Sequence, residues 1–166
     1  MAGGDSPGGE VDHKSVLPRA LDAAATILGP LSNLFVLVVG TGEIAEEALK
    51  DLRRRGVRDV AFVGRDPSRA ITWESGHPER AWSLEEIDKV LWRADLVIVC
   101  SRATGPVITA EQVRHALALR CFRTRPLLIL DLGVPGDVEA EVGRLAGVQL
   151  RNLDSFRGEV GAEGIS

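Results

Sequence analysis

The chain has 166 residues, 45% hydrophobic and 27% charged, with a net charge of -4, which bounds it to one soluble globular domain with a proper core. With no long Lys/Arg block it has little to neutralise a phosphate backbone, so direct nucleic-acid binding is not expected of the chain alone. Its two cysteines, Cys100 and Cys121, lie outside any CxxC spacing, which argues against a zinc site or a disulfide scaffold and fits a reducing cytoplasm; there is neither a signal-peptide pattern nor an apolar run near the roughly 20 residues of a membrane span.

In chain order, residues 1–14 open with glycine and small or acidic residues that cannot bury a face, and are expected to be a disordered tail. Residues 15–157 form the expected domain and 158–166 a second tail. Four apolar runs stand out, Phe35 to Val39, Val60 to Val63, Leu96 to Val99 and Leu127 to Leu130. They are continuous rather than alternating, as in strands buried on both faces of a parallel sheet. After the first run, Ile44, Ala45, Ala48, Leu49 and Leu52 make one helical stripe. Arg53, Arg54 and Arg55 close that helix with charge that suits its dipole and read as a solvated end, and Gly56 stops it.

Pro67 to Arg80 leaves room for only a short helix, because Gly76 and Pro78 interrupt it. Ser83 with Glu86 and Thr109 with Gln112 both have the spacing of a capping box and predict two more helices. Brief strands near Ala81 and Trp82 and at Val148 to Leu150 would complete six. The alternation predicts an α/β fold: a doubly wound, mostly parallel sheet of the Rossmann type, layered α/β/α.

Gly40-Thr41-Gly42-Glu43-Ile44-Ala45 fits GxGxxA between a strand and a helix. In that setting Gly40 permits the tight turn, Gly42 lets the backbone approach a pyrophosphate, and Ala45 lets helix and strand pack closely. The phosphates would sit on the helix N-terminus. The bland alternative is packing without a nucleotide. Glu43 reads as a first-turn acid that suits the dipole. At the end of the second strand, Val63-Gly64-Arg65-Asp66 brings a guanidinium to the place that reads the ribose, which favours NADP(H) over NAD. Asp66 could pair with Arg65, cap the next helix, or take a ribose hydroxyl.

These residues resemble the central NADPH-binding domain of glutamyl-tRNA reductase. The resemblance runs from "SVLPRALDAAATILGPLSNLFVLVVGTGEIAE" through "VGRDPSRA", "ADLVIVCSRATGPVIT" and "LLILDLGVPGDVEAEV" to "VQLRNLDSF". It implies a role in 5-aminolevulinate and tetrapyrrole synthesis, with Gly40, Thr41, Gly42, Glu43 and Ile44 as the phosphate loop and Arg65 as the adenosine-phosphate arginine. Ser101 matches the last hydroxyl of a Ser/Thr-rich segment near the nicotinamide. Val99, Cys100 and Arg102 depart from that segment, and Gly136 stands where the family has a basic residue. The family's nucleophilic cysteine belongs to a preceding domain and its dimerising helices to a following one. Neither Cys100 nor Cys121 lies in the nucleophile's motif, so the chain is not expected to be an active glutamyl-tRNA reductase alone.

Other chemistry is thin. Cys100 at a strand end would need a depressed pKa to act as a nucleophile and otherwise fills space. Asp131 could orient a substrate or cap the turn at Val134-Pro135. With no tyrosine a Tyr–Lys proton relay is excluded, and His13, His77 and His115 lack metal-ligand spacing. The primary expectation is therefore a module that binds NADP(H) and delivers hydride to a substrate held by a partner protein or a second copy of the chain. The alternatives are a stand-alone imine or aldehyde reductase working between Gly42, Ser101 and Val134, and a non-catalytic nucleotide-sensing or interaction module.

Overall fold

A computed structural model describes residues 13–73, 80–101, 107–120, 123–133 and 137–152. Its centre is a six-stranded parallel sheet in the order β3-β2-β1-β4-β5-β6. The strands are β1 (Phe35–Val39), β2 (Asp59–Gly64), β3 (Ala81–Ser83), β4 (Leu96–Val99), β5 (Leu127–Asp131) and β6 (Val148–Asn152). The four apolar runs and both brief strands thus fall where expected. The order reverses between β1 and β4, where an open α/β sheet forms its crevice.

Why the runs are continuous is visible in the layers. Val36, Val38, Phe62, Ile98 and Leu130 point to one face, and Leu37, Val39, Val63, Val99 and Ile129 to the other. Both faces are covered, so both halves of each strand's pleat must be apolar.

One cover is α1 (His13–Leu28) with α2 (Glu43–Arg54). The first of these was not among the predicted elements. Its stripe of Leu17, Ala20, Leu21, Ala24 and Leu28 is buried, but Pro18 inside the helix breaks the local propensity, and burial of the stripe overrides it. The second helix follows its predicted stripe, with Ala45, Ala48, Leu49 and Leu52 buried.

The arginines that end α2 are more than a solvated end. Arg53 Nη1 donates to Val57 O at 2.6 Å and Arg58 O at 2.9 Å. Arg55 donates to Asp51 of its own helix at 3.0 Å and to Asp22 of α1 at 2.9 Å, which fastens the two helices together. Only Arg54, with a side chain 67% exposed, behaves as expected.

α3 (Pro67–Trp73) is the short helix foreseen after β2, and α4 (Ala110–Leu119) starts at the predicted box. There Gln112 N donates to Thr109 Oγ1 at 3.2 Å and Thr109 N to Gln112 Oε1 at 2.9 Å. The box at Ser83 does not open an α-helix. Ser83 N donates to Glu86 Oε1 at 3.0 Å, but the chain continues as 3-10 helix over Leu84–Lys89 and Leu91–Arg93. The apolar residues Leu84, Ile87 and Val90 recur every third position and pack toward one core, a period that the three-residue turn satisfies. Another 3-10 helix, Ala140–Arg144, precedes β6.

Candidate functional site

Strand register sets the site. Val39 lies level with Val63 on one side and Val99 on the other, and Val99 is level with Asp131. The residues just beyond the strands therefore emerge side by side. Gly40 N donates to Val63 O at 2.7 Å, Cys100 N to Val39 O at 2.9 Å, and Leu132 N to Val99 O at 2.8 Å.

Beyond that edge lies a cleft of about 240 Å³. It brings together Gly40, Thr41, Gly42, Glu43, Ile44, Arg65, Cys100 and Ser101. Asp66 and Asp131 are not on its wall, and Val134 lies outside the described residues, as do Arg102, Gly136 and Cys121.

The two glycines of the turn differ in what they do. Gly40 has φ +133°, and a Cβ there would stand 3.1 Å from the carbonyl oxygen and 3.2 Å from Sγ of Cys100. It is required by the fold itself. Gly42 has an ordinary φ of -93°, and a Cβ there would meet nothing within 4 Å. Its lack of a side chain keeps the cleft open.

Helix α2 starts on Gly42 with no side chain capping it. The first intrahelical bond is Glu46 N to Gly42 O, 3.1 Å, so the N–H groups of Glu43, Ile44 and Ala45 precede it and face outward from the helix end. This contrasts with α4, where Gln112 N donates to Thr109 Oγ1 and Ala110 N to Glu139 Oε1 at 2.7 Å. Glu43 and Glu46 supply first-turn negative charge, as expected of acids that suit the dipole.

Val39, Gly64, Arg69 and Leu84 also line the cleft and were not expected as site residues from the sequence. Arg69 shares the cleft with Arg65; its position four residues on, in a helix beginning at Pro67, was the available signal. Gly64 packs beneath Thr41, because a Cβ there would meet Thr41 Cγ2 at 2.6 Å. Asp66 faces the start of α3: its Oδ1 accepts from Ser68 Oγ at 2.5 Å and its carbonyl from Arg69 N at 3.2 Å.

The Ser101 side of the cleft is held by a pair of buried carboxyls. Asp131 Oδ1 accepts from Gly133 N and Asp137 N, and Oδ2 from Val138 N, each at 3.1 Å. Of the two roles open to Asp131, the geometry is that of a turn anchor. Asp137, a residue the sequence reading passed over, reaches back and accepts from Ser101 N–H. Its carbonyl accepts from Val107 N at 2.6 Å and Ile108 N at 3.2 Å, so the chain after β4 and the chain after β5 are tied at this residue.

Burial pushes the Asp137 carboxyl up to about 6, with the Asp131 carboxylate adding to the rise and the Ser101 N–H opposing it. Asp131 is raised too, by burial against its three N–H donors. Cys100 is pushed up to about 12 by burial first and then by Asp137. The activation that a nucleophilic Cys100 would need is thus opposite in sign to what its surroundings impose.

A carboxyl whose folded pKa is raised contributes stability that is complete below its unfolded value of 3.8 and lost as pH rises through about 6. Asp137→Asn keeps an acceptor for Ser101 N–H and removes the titration. The variant should therefore gain on the parent by about 1–3 kcal/mol between pH 4 and pH 7.5, measured by urea unfolding at both pH values. Parallel pH dependence in the two proteins would contradict the assignment.

Comparison with known proteins agrees with this fold. The family model described as shikimate / quinate 5-dehydrogenase matches residues 22–158. The glutamyl-tRNA reductase of Deinococcus radiodurans is 38% identical over 142 residues, 86% of this chain and 40% of that protein. That of Pelotomaculum thermopropionicum is 35% identical over 143 residues, 86% of this chain and 32% of that protein. This chain therefore spans about a third to two-fifths of the length of these curated relatives. Among solved structures, the glutamyl-tRNA reductase of Methanopyrus kandleri superposes with a TM-score of 0.74 at 34% identity, over 90% of this chain and 37% of that one. The nucleotide binding domain of the Thermoplasma volcanium enzyme, 18% identical, shares the fold at a TM-score of 0.58 over 95% of this chain and 96% of that one. The chain thus belongs to the shikimate / quinate 5-dehydrogenase family and resembles, within it, the NADP-binding central domain of glutamyl-tRNA reductase.

Proposed function

We propose that the chain binds NADP(H) in the Gly40–Ile44 cleft and supplies hydride to a substrate held by a partner protein or a second copy of itself. The observation that carries this reading is the uncapped helix end at Gly42, which opens on a cleft that also holds Arg65 and Arg69. Outward N–H groups receive the diphosphate, and the guanidiniums receive the extra phosphoryl group on the ribose. Gly40, Thr41 and Gly64 fix the height of the turn, so the diphosphate meets backbone rather than side chains. Ser101 lies on the same wall, toward the nicotinamide.

The cofactor supplies the hydride when bound; the protein supplies position and electrostatics. The described residues around the cleft offer no activated nucleophile, since the Cys100 thiol stays protonated at neutral pH. The substrate that follows from the relatives' name is a glutamyl group, delivered as an acyl thioester by the partner.

The test is NADPH oxidation followed by absorbance with glutamyl-tRNA as substrate. The chain alone should give no turnover. Turnover should appear on adding a protein that carries the family's nucleophilic cysteine. Turnover by the purified chain alone would refute the division of labour.

A further inference from the structure

The sheet has a second cleft at its opposite edge, where the strands begin. It measures about 400 Å³ and is walled by Phe35, Val60, Trp82, Arg80 and Arg93, with Asp59 at its side. Phe35 and Asp59 are the first residues of β1 and β2, while Trp82 lies level with Val63, toward the other end of β2. The volume suits a small ligand.

What distinguishes it is how its arginines are used. Elsewhere, Arg55 is matched to Asp51 and Asp22 at 3.0 and 2.9 Å and Arg123 to Asp95 at 2.8 Å, while Arg53 and the buried Arg120 are spent on backbone carbonyls. In the second cleft Arg93 lies with Cζ 4.7 Å from the centroid of the Phe35 ring, and among the described residues its guanidinium donates to no carboxylate. Arg80 spends Nη1 on the carbonyls of Arg58 and Val60 at 3.2 and 3.3 Å. Its Nη2 is ion-paired with Asp59 at 3.7 Å, too long for a hydrogen bond, so this donor can still turn to a ligand. A guanidinium stacked on an aromatic ring keeps its N–H edge for an in-plane acceptor. That edge of Arg93, the Nη2 of Arg80 and the half-buried indole of Trp82 border one cavity.

We infer that this second cleft binds a small aromatic oxyanion, a flat ring bearing a carboxylate or phosphate, with Arg93 and Arg80 taking the oxyanion and Trp82 the ring. Charged bidentate bonds supply affinity, and the Phe35–Arg93 stack and the indole select a planar ligand over an aliphatic one. The two clefts share no lining residue, so this one is expected to remain available when NADPH is bound.

Benzoate and phenyl phosphate are suitable probes, read through the indole N–H of Trp82 in nitrogen-proton spectra of the full chain. The signal is assigned by comparison with Trp82→Phe. A saturable shift of this signal is expected with at least one probe, unchanged by excess NADPH. Benzamide, which lacks the charge, and acetate and inorganic phosphate, which lack the ring, should bind at least 10-fold more weakly. Arg93→Gln should weaken the aromatic anion at least 10-fold while its far-ultraviolet spectrum and unfolding midpoint stay those of the parent; Arg80→Gln gives a second, independent loss. Absence of a saturable shift, equal binding of benzamide, or unaltered binding by both variants would overturn the assignment.

Discussion

Arg65→Ala is expected to weaken NADPH binding by about 10–100-fold while changing NADH binding by less than about twofold, as read by calorimetric titration of each coenzyme. The magnitude is that of one charge-assisted contact, roughly 1.5–3 kcal/mol. Arg65 is exposed at the rim of the nucleotide cleft, where it contributes to the ligand rather than to the core, and its removal should leave the fold intact. Arg69 lines the same wall, so Arg65→Ala combined with Arg69→Ala should lose more than the single change. The two losses should not add, because both guanidiniums meet one phosphoryl group. A loss of the same size for NADH would mean that Arg65 contacts the shared part of the coenzyme, and NADP would then lose its preference. Asp66 offers no competing grip in this arrangement, since its carboxylate is turned to Ser68.

The strands were legible because their physics is local. Phe35 to Val39, Val60 to Val63, Leu96 to Val99 and Leu127 to Leu130 are apolar on every residue, as they must be once both sheet faces are covered. The glycine turn was equally legible, though with the weight shared differently: Gly40 serves contact with Cys100, and Gly42 serves open space. A sequence cannot separate these, since both read as glycine.

What escaped the sequence depends on distant segments. α1 was hidden by Pro18, and only its packing against the sheet and α2 reveals the stripe. The tie between Arg55 and Asp22 spans 33 positions, which no periodicity reports. Asp137 gains its role because Ile108, after β4, and Val138, after β5, lie side by side in a parallel bridge. The 3-10 run after Ser83 carried a capping signal for an α-helix, and the spacing of Leu84, Ile87 and Val90 decided against it. The second cleft draws its arginines from two different strand entries, so no basic run announces it.

The account rests on a diphosphate meeting bare backbone at Gly42. Gly40 and Gly42 provide the contrast. Gly40→Ala places a Cβ against Cys100 at φ +133° and should cost about 1–3 kcal/mol of stability, so it confounds folding with binding. Gly42→Val does not: the position has an extended-side φ of -93° and open space around it, so the unfolding free energy should stay within about 1 kcal/mol of the parent. Its side chain instead fills the volume that the phosphates need, ahead of the outward N–H groups of α2. Titration of NADPH into Gly42→Val, beside its urea unfolding curve, is the most direct measurement. The prediction is a near-parental midpoint with binding reduced at least about 100-fold, and a stable Gly42→Val that binds NADPH as tightly as the parent would contradict it.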